Sequence, residues 1–203
     1  MGISVRLEAW GEDDFWLLLR KNEPAMTDFL GGPESDAKLA DRHRRYLALS
    51  AGDPTAGRMF RVRARGLDPA GEVTVGTIGF WGRTWRGEEV YETGWGVLPE
   101  HQGHGLAALA ARTLITHLRT LAAAGPDAPG TGPSAGAAPG TATGAARVRR
   151  HLHAYPSVDH HASNAVCRKA GFTLLGQAEF EYPPGLWHTS NDWCVDLAAP
   201  PGP

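Results

Sequence analysis

A strand-like run and a helix-like run meet at a pair of glycines near the middle of the chain, and this junction constrains the fold more than any other stretch. Residues Val90–Leu98 alternate between apolar and polar side chains, which is typical of a strand with one buried face. Over residues 106–121, leucine, alanine and isoleucine recur at helical spacing. Gly103 and Gly105 stand between the two runs, in the sequence PEHQGHGLA (residues 99–107). Such glycines let a backbone approach a ligand closely, and the first N–H groups of the following helix favour an anion.

The rest of the sequence predicts one mixed domain of helices and strands. The order of elements is strand, two helices, three strands, helix, strand, helix and two strands, which places the chain in the α+β class. Further strands are expected at Ile3–Leu7, Met59–Ala64, Val73–Trp81, Val148–Tyr155, Phe172–Tyr182 and Trp187–Leu197, and further helices at Asp13–Arg20, 35–50 and Ala162–Ala170.

Residues 122–146 have a composition unlike the rest of the chain. They contain only Ala, Gly, Pro, Thr, Ser and one Asp. Such a segment buries too little apolar area to offset the entropy lost on ordering, so we expect a disordered surface loop there, with a functional lid as the alternative. A short flexible tail is expected at 198–203.

Composition limits the classes of protein to which the chain can belong. At 203 residues it is long enough for a single well-buried domain. The net charge is −2 and the longest basic group is Arg147–Arg150, so neither nucleic acid nor an anionic membrane is an expected partner. The amino terminus lacks the apolar core of a secretory signal, and two cysteines form no disulfide framework. We therefore expect a cytoplasmic protein.

The glycine pair alone permits three interpretations. It can form a plain tight turn that binds nothing. It can also belong to a dinucleotide fingerprint, because Gly103–Ala108 matches G-x-G-x-x-A. That fingerprint requires a first βαβ unit and an acidic residue roughly 20 positions later. Here that position falls at Asp127, in the low-complexity segment, and the preceding strand is the fourth, so this interpretation is disfavoured.

The third interpretation is an acyl-coenzyme A loop, and it rests on a resemblance. Residues Gln102–Ala107, QGHGLA, resemble the Gln/Arg-x-x-Gly-x-Gly/Ala signature of the GNAT superfamily of N-acyltransferases, and Glu92–Pro99 resembles its fourth strand. Residues His160–Phe172, HHASNAVCRKAGF, resemble the Asn-x-x-Ser…Gly-Phe block of the Rim-type branch, which acetylates ribosomal-protein amino termini. The resemblance implies the GNAT fold over 1–203, with a mostly antiparallel sheet of about seven strands and about four helices.

The same resemblance implies acetyl-CoA as the donor, without a metal ion, and assigns the residues that bind it. Main-chain groups of Val97 and Leu98 are expected to bond the pantetheine arm in a gap between the fourth and fifth strands. His160 replaces the asparagine with which the family contacts that arm. The pyrophosphate is expected on the loop and helix start formed by Gln102, Gly103, His104, Gly105, Leu106 and Ala107.

Two catalytic residues are carried over from the Rim-type branch. Glu92 matches an acidic residue there and is expected to take the proton of the amine through a water; the alternative is an ordinary strand-edge carboxylate. Ser163 matches a serine that protonates the leaving thiolate, and the alternative is helix capping. Many superfamily members use a tyrosine where Cys167 stands. Asn164 is expected to be a surface residue.

The acceptor is expected to be a primary amine, either a protein amino terminus or a small molecule. Glu88, Glu89 and Glu92 can make the acceptor side acidic, which suits a cationic amine, or can be solvated. A catalytically silent acyl-CoA sensor is the alternative function. A homodimer through the last hairpin is a further possibility.

Two further patterns leave alternatives open. Gly94 and Gly96 are compatible with a bulge in their strand, or with space left for a neighbouring group. His151 and His153 alternate on one strand, but no acidic or cysteine partner completes a standard metal spacing, so no metal site is expected.

Overall fold

A seven-stranded sheet in the order β1-β2-β3-β4-β5-β7-β6 forms the centre of the fold. The computed structural model describes residues 2–124 and 148–199. The strands are β1 (Ser4–Ala9), β2 (Gly57–Asp68), β3 (Gly71–Trp85), β4 (Glu88–Val97), β5 (His151–Ala154), β6 (Thr173–Glu181) and β7 (Trp187–Asp196). The helices are α1 (Phe15–Lys21), α2 (Pro24–Thr27), α3 (Asp36–Ala51), α4 (Leu106–Ala124) and α5 (His161–Ala170), with 3-10 turns at Glu12–Asp14 and Pro99–His101.

This architecture confirms the expected α+β sheet. All strand pairs are antiparallel except β4 with β5, and four of the described helices have seven or more residues. The loop was expected to begin at residue 122, but α4 continues to Ala124. The rest of the expected loop lies outside the described residues, as do residues 200–203 of the expected tail. The short helix α2 was not predicted.

The sheet has two faces that are covered differently. One face, here called the α4 face, packs against α4 and α5, where Leu114 and Leu118 of the predicted helical stripe are fully buried. The opposite face, here called the α3 face, packs against α1 and α3 through a second cluster that includes Leu17 and Leu39. Residues 75–80 of β3 are all buried because both faces of the sheet are covered there.

The sheet splits between β4 and β5. Their parallel pairing comprises only Tyr91 with Leu152 and Glu92 with His153. Strand β4 continues to Val97, and its other edge stays paired with β3 in an unbroken register along its whole length. No bulge therefore occurs at Gly94 or Gly96. The strands diverge beyond Glu92 and leave a gap, and α4 begins close to the end of β4.

None of the helices in residues 2–124 and 148–199 combines the length and the apolar content that a membrane span requires.

Candidate active site

The loop between β4 and α4, here called the glycine cradle, leaves its backbone open on one side. Gly103 and Gly105 have φ values of +82° and +73°, in the left-handed region that favours glycine. A Cβ at either position would meet no atom within 4 Å, so both glycines border open space. The first N–H groups of α4, from Leu106 onward, have no intrahelical acceptor, and the helix dipole places partial positive charge there.

Gln102 and Leu98 stabilise this loop from within. The Gln102 side-chain amide donates to the Val97 carbonyl at 3.0 Å. The Leu98 N–H donates to the Val75 carbonyl at 2.9 Å, and the Leu98 carbonyl accepts from the His101 N–H at 2.9 Å. Leu98 therefore has no free N–H for a ligand. Because peptide groups alternate along a strand, the Val97 N–H points away from β3 and toward the gap.

Glu92 lies where the two halves of the sheet separate, on the α3 face. Its neighbour Tyr91 is buried against α4, and strand alternation turns Glu92 the other way. Its Oε2 accepts from Arg83 Nη1 at 2.7 Å, and the side chain is 17% exposed. The carboxylate is thus a partly buried, ion-paired group beside the gap rather than a solvated one at a strand edge.

The other two glutamates of β4 also face basic groups. Glu89 accepts from Arg149 Nη2 at 2.9 Å, and a Glu88 oxygen lies 3.6 Å from a His151 ring nitrogen. Glu89 and Glu92 are thus paired with arginines, whereas the Glu88 side chain is mostly exposed.

Ser163 is the third residue of α5 and does not cap it. The N-cap is His160, and the Ser163 hydroxyl makes no side-chain hydrogen bond with any residue that the structure describes. Cys167 points into the main core, where burial raises the pKa of its thiol to about 12. Cys167 therefore cannot replace the tyrosine that many relatives place there, and Ser163 keeps an uncommitted hydroxyl.

Tyr155 is a candidate that was not identified from the sequence. It follows β5 directly, and its hydroxyl is buried without a hydrogen-bond partner in the described part of the chain. Burial raises the pKa of Tyr155 above its ordinary value, and the negative charges of Asp192 and Glu92 raise it further. The phenol keeps its proton and is a hydrogen-bond donor near Glu92. Its position as the last residue of the predicted strand Val148–Tyr155 was the available signal.

A sequence profile of the acetyltransferase (GNAT) domain matches residues 4–173, from β1 to the first residue of β6. The chain belongs to the GNAT acetyltransferase family. It is therefore an acyltransferase by family.

Solved structures of GNAT acetyltransferases share this fold. A GNAT-family acetyltransferase from Bacillus anthracis has 14% identity and a TM-score of 0.66, with 97% of this chain and 96% of that chain covered. The Salmonella typhimurium acetyltransferase that modifies the N-terminal serine of ribosomal protein L7/L12 has 19% identity, a TM-score of 0.63 and 95% coverage of each chain. Spermidine N-acetyltransferase from Vibrio cholerae, in complex with CoA and spermine, has 14% identity, a TM-score of 0.64 and 96% coverage of each chain. No match was found among curated protein sequences.

His160 connects the start of α5 with the segment that follows α2. Its ring stacks on Phe29, from the segment after α2, with ring centroids 4.3 Å apart and planes 14° apart. Burial lowers the pKa of His160, and the neighbouring His161 lowers it further. The ring is thus held in its neutral form near the start of α5, where a ring N–H can still donate a hydrogen bond.

Asn164 is buried, which contradicts the expectation of a surface residue. It is 3% exposed, and its Nδ2 donates to the carbonyls of Ser157 and His160 at 2.8 and 2.9 Å. Its Oδ1 accepts from Asn191 Nδ2 at 2.7 Å and from Trp193 Nε1 at 2.8 Å. All four hydrogen-bonding positions of the amide are used, so Asn164 fixes the start of α5 against β7.

Asn164→Ala should lower the free energy of unfolding by about 3 kcal/mol, because it leaves several buried polar groups without partners. Urea denaturation followed by circular dichroism measures this loss. The neighbouring change Ser163→Ala is the matched control and should cost less than about 0.5 kcal/mol. A cost below about 1 kcal/mol for Asn164→Ala would contradict the structural role of this amide.

The two histidines of β5 are engaged in pairs. His153 Nδ1 lies 2.7 Å from Asp192 Oδ1, and Trp85 Nε1 donates to Asp192 Oδ2 at 2.9 Å. Burial acts to raise the pKa of Asp192, but the hydrogen bonds from His153 and Trp85 outweigh it and hold the pKa below its usual value. Among residues 2–124 and 148–199, no group of three or more His, Cys, Asp or Glu is placed to hold a metal ion.

Proposed function

We propose that the chain transfers an acetyl group from acetyl-CoA to a primary amine, by direct attack in a ternary complex. The observation that carries this proposal is the juxtaposition of the open glycine cradle, at Gly103 and Gly105, with the gap beside β4. A pyrophosphate on the cradle leaves the pantetheine arm free to enter the gap. Both free cysteines, Cys167 and Cys194, suit a reducing cytoplasmic compartment.

The donor site uses main-chain groups rather than charged side chains. The N–H groups of residues 103–107 and the dipole of α4 meet the negative charge of the pyrophosphate, so no metal ion is required. The Val97 N–H faces the gap and polarises the thioester carbonyl. Gln102 holds the Val97 carbonyl and thereby orients this peptide segment. His160, held by its stacking on Phe29, is the residue that we assign to the pantetheine arm at the start of α5.

The chemistry needs three proton movements. The ammonium form of the acceptor first loses a proton to Glu92 through a water, and the neutral amine then attacks the thioester carbon. As the C–N bond forms and the C–S bond breaks, the nitrogen loses a second proton and the departing thiolate takes one from the Ser163 hydroxyl. The proton released by the nitrogen restores that hydroxyl through solvent. The Tyr155 phenol, which keeps its proton, is the candidate hydrogen-bond donor to the departing sulfur because it is buried and unpartnered.

The acceptor is a protein amino terminus or a small-molecule amine. Among the similar structures, one enzyme modifies an N-terminal serine and another is a spermidine N-acetyltransferase, so the fold accommodates both classes. Both acceptors present a primary amine to the same kind of thioester, and the chemistry assigned to Glu92 serves either.

A panel assay tests the function. The full chain is incubated with acetyl-CoA and either amino-terminal peptides, polyamines, aminoglycosides or amino acids, and released thiol is measured against an acceptor-free reaction. Mass spectrometry then confirms one added acetyl group. Acetylation of at least one amine is expected. Tight acetyl-CoA binding by calorimetry without thiol release for any amine would replace the proposal with a sensor function.

A further inference from the structure

A small cavity lies on the α3 face, between the α1–α2 segment and the turn that joins β6 to β7. Its volume is about 70 Å³, which is room for a group of a few heavy atoms. Its walls include the charged residues Lys21, Glu34 and Arg42 and the larger side chains of Leu18, Tyr46 and Tyr182.

Lys21 connects this cavity to the gap in the sheet. A Cβ on Gly96 would lie 2.5 Å from Lys21 Cε, so the lysine side chain packs directly over this glycine of β4. Its Nζ donates to Thr77 Oγ1 at 2.6 Å, and Thr77 is the register partner of Gly96. The ammonium therefore lies against the segment of β4 that has no β5 partner. This is the α3 face, which Glu92 also occupies.

The charge of Lys21 has no acidic partner in the described part of the chain. The other cation of the cavity wall, Arg42, is paired with both carboxylate oxygens of Glu34 at 2.6 Å. Burial lowers the pKa of Lys21 to about 8, and the nearby charge of Arg42 contributes. The cavity thus contains one uncompensated cation in a partly buried position.

A buried cation without a counter-charge is costly, and a bound anion relieves that cost. We propose that this cavity receives part of the acceptor, and that Lys21 selects amines that also carry a carboxylate. The inference rests on the proposed acetyl transfer and names the class of acceptor. The donor reaches the gap from the cradle at α4, so the amine must approach from the α3 face. A polyamine or aminoglycoside would place additional ammonium groups against Lys21 and would be disfavoured.

Matched acceptor pairs test the selection. Peptides with Asp or Asn at the second position, and tyrosine compared with tyramine, differ mainly in the carboxylate. In at least one pair, the acidic member should have a kcat/KM about 10-fold higher than the neutral member. A response of the peptide pair would indicate a side-chain carboxylate, and a response of the tyrosine pair would indicate a free amino-acid carboxylate. The preference should disappear in Lys21→Gln and persist in Lys21→Arg, with the KM for acetyl-CoA unchanged.

Lys38→Gln is the matched control, because Lys38 is an exposed lysine of α3 outside the cavity wall. It should keep the wild-type preference. Equal rates for both members of every pair in the wild-type protein, or an unchanged preference in Lys21→Gln, would overturn the inference. Because Lys21→Gln removes a buried charge, the melting temperature of this variant should equal or exceed that of the wild-type protein.

Binding of the acetylated products separates this inference from the proposed function. N-acetylated acid and amide members of each pair do not react, and their affinities are measured by calorimetry. Tighter binding of an acid that depends on Lys21 supports the pocket even if no amine is acetylated, in which case only the proposed function fails. Equal affinities for acid and amide would reject the pocket whatever the rates are.

Discussion

Replacing Gly105 by valine should raise the KM for acetyl-CoA about 100-fold, equivalent to about 2.8 kcal/mol of lost binding. At φ +73°, a β-branched residue is strained, so the loop would leave its present conformation. The added side chain would also stand in the open space assigned to the pyrophosphate. Initial rates at varied acetyl-CoA and saturating amine measure the effect, while the KM for the amine should change little.

Gly87→Val is the matched control for backbone strain. Gly87 has a φ of +83°, also borders open space, and lies in the turn before β4, at the opposite end of that strand from the cradle. Its valine variant should keep the wild-type KM for acetyl-CoA. A donor KM within threefold of wild type in Gly105→Val would show that the cradle does not hold the donor.

Glu92→Gln should lower kcat by about 100-fold or more at neutral pH, the range expected for loss of a general base. Glutamine keeps the size of the side chain and can still accept from Arg83, but it cannot take a proton from the amine. The KM for acetyl-CoA should stay near its wild-type value, because the cradle is not altered. Thiol release is followed with the best amine of the panel across a range of pH.

Glu89→Gln is the control for general effects of charge on β4. Glu89 is also paired with an arginine but is exposed and lies at the start of the strand, away from the gap. This variant should retain most of the wild-type kcat. If Glu92→Gln and Glu89→Gln reduce kcat equally, Glu92 is not the base.

Local periodicity was sufficient to predict most of the fold. The helical stripe of α4 and the alternation of β4 correspond to buried faces in the structure, because burial of one face is what selects such patterns. The length of β5 was predicted less well: the run Val148–Tyr155 reads as one strand, but pairing is limited to His151–Ala154. The sequence of a strand does not record where its neighbour diverges, since that depends on distant residues.

The candidate site was only partly predictable, for a related reason. The cradle glycines and Glu92 belong to one continuous stretch, so spacing could identify them. Lys21 reads as an ordinary basic residue at the end of a helix, where cations are favoured. It packs over a glycine 75 positions later, and only the folded chain brings the two together. The burial of Asn164 was not predicted, because two of its hydrogen-bond partners lie on the distant strand β7.

The split sheet also has a consequence for the order in which the molecule is assembled. Strands β1 to β4 pair in sequence order, so this half of the sheet can form while the rest of the chain is still being synthesised. Strand β5 lies between β4 and β7, and its pairing with β7 is the longer of its two ladders. Since β7 follows all the other described strands in the sequence, the far wall of the gap is completed after the β1–β4 half of the sheet. The main core includes Trp193 and Val195 of β7, so the same late pairing completes both this core and the gap that we assign to the acyl donor.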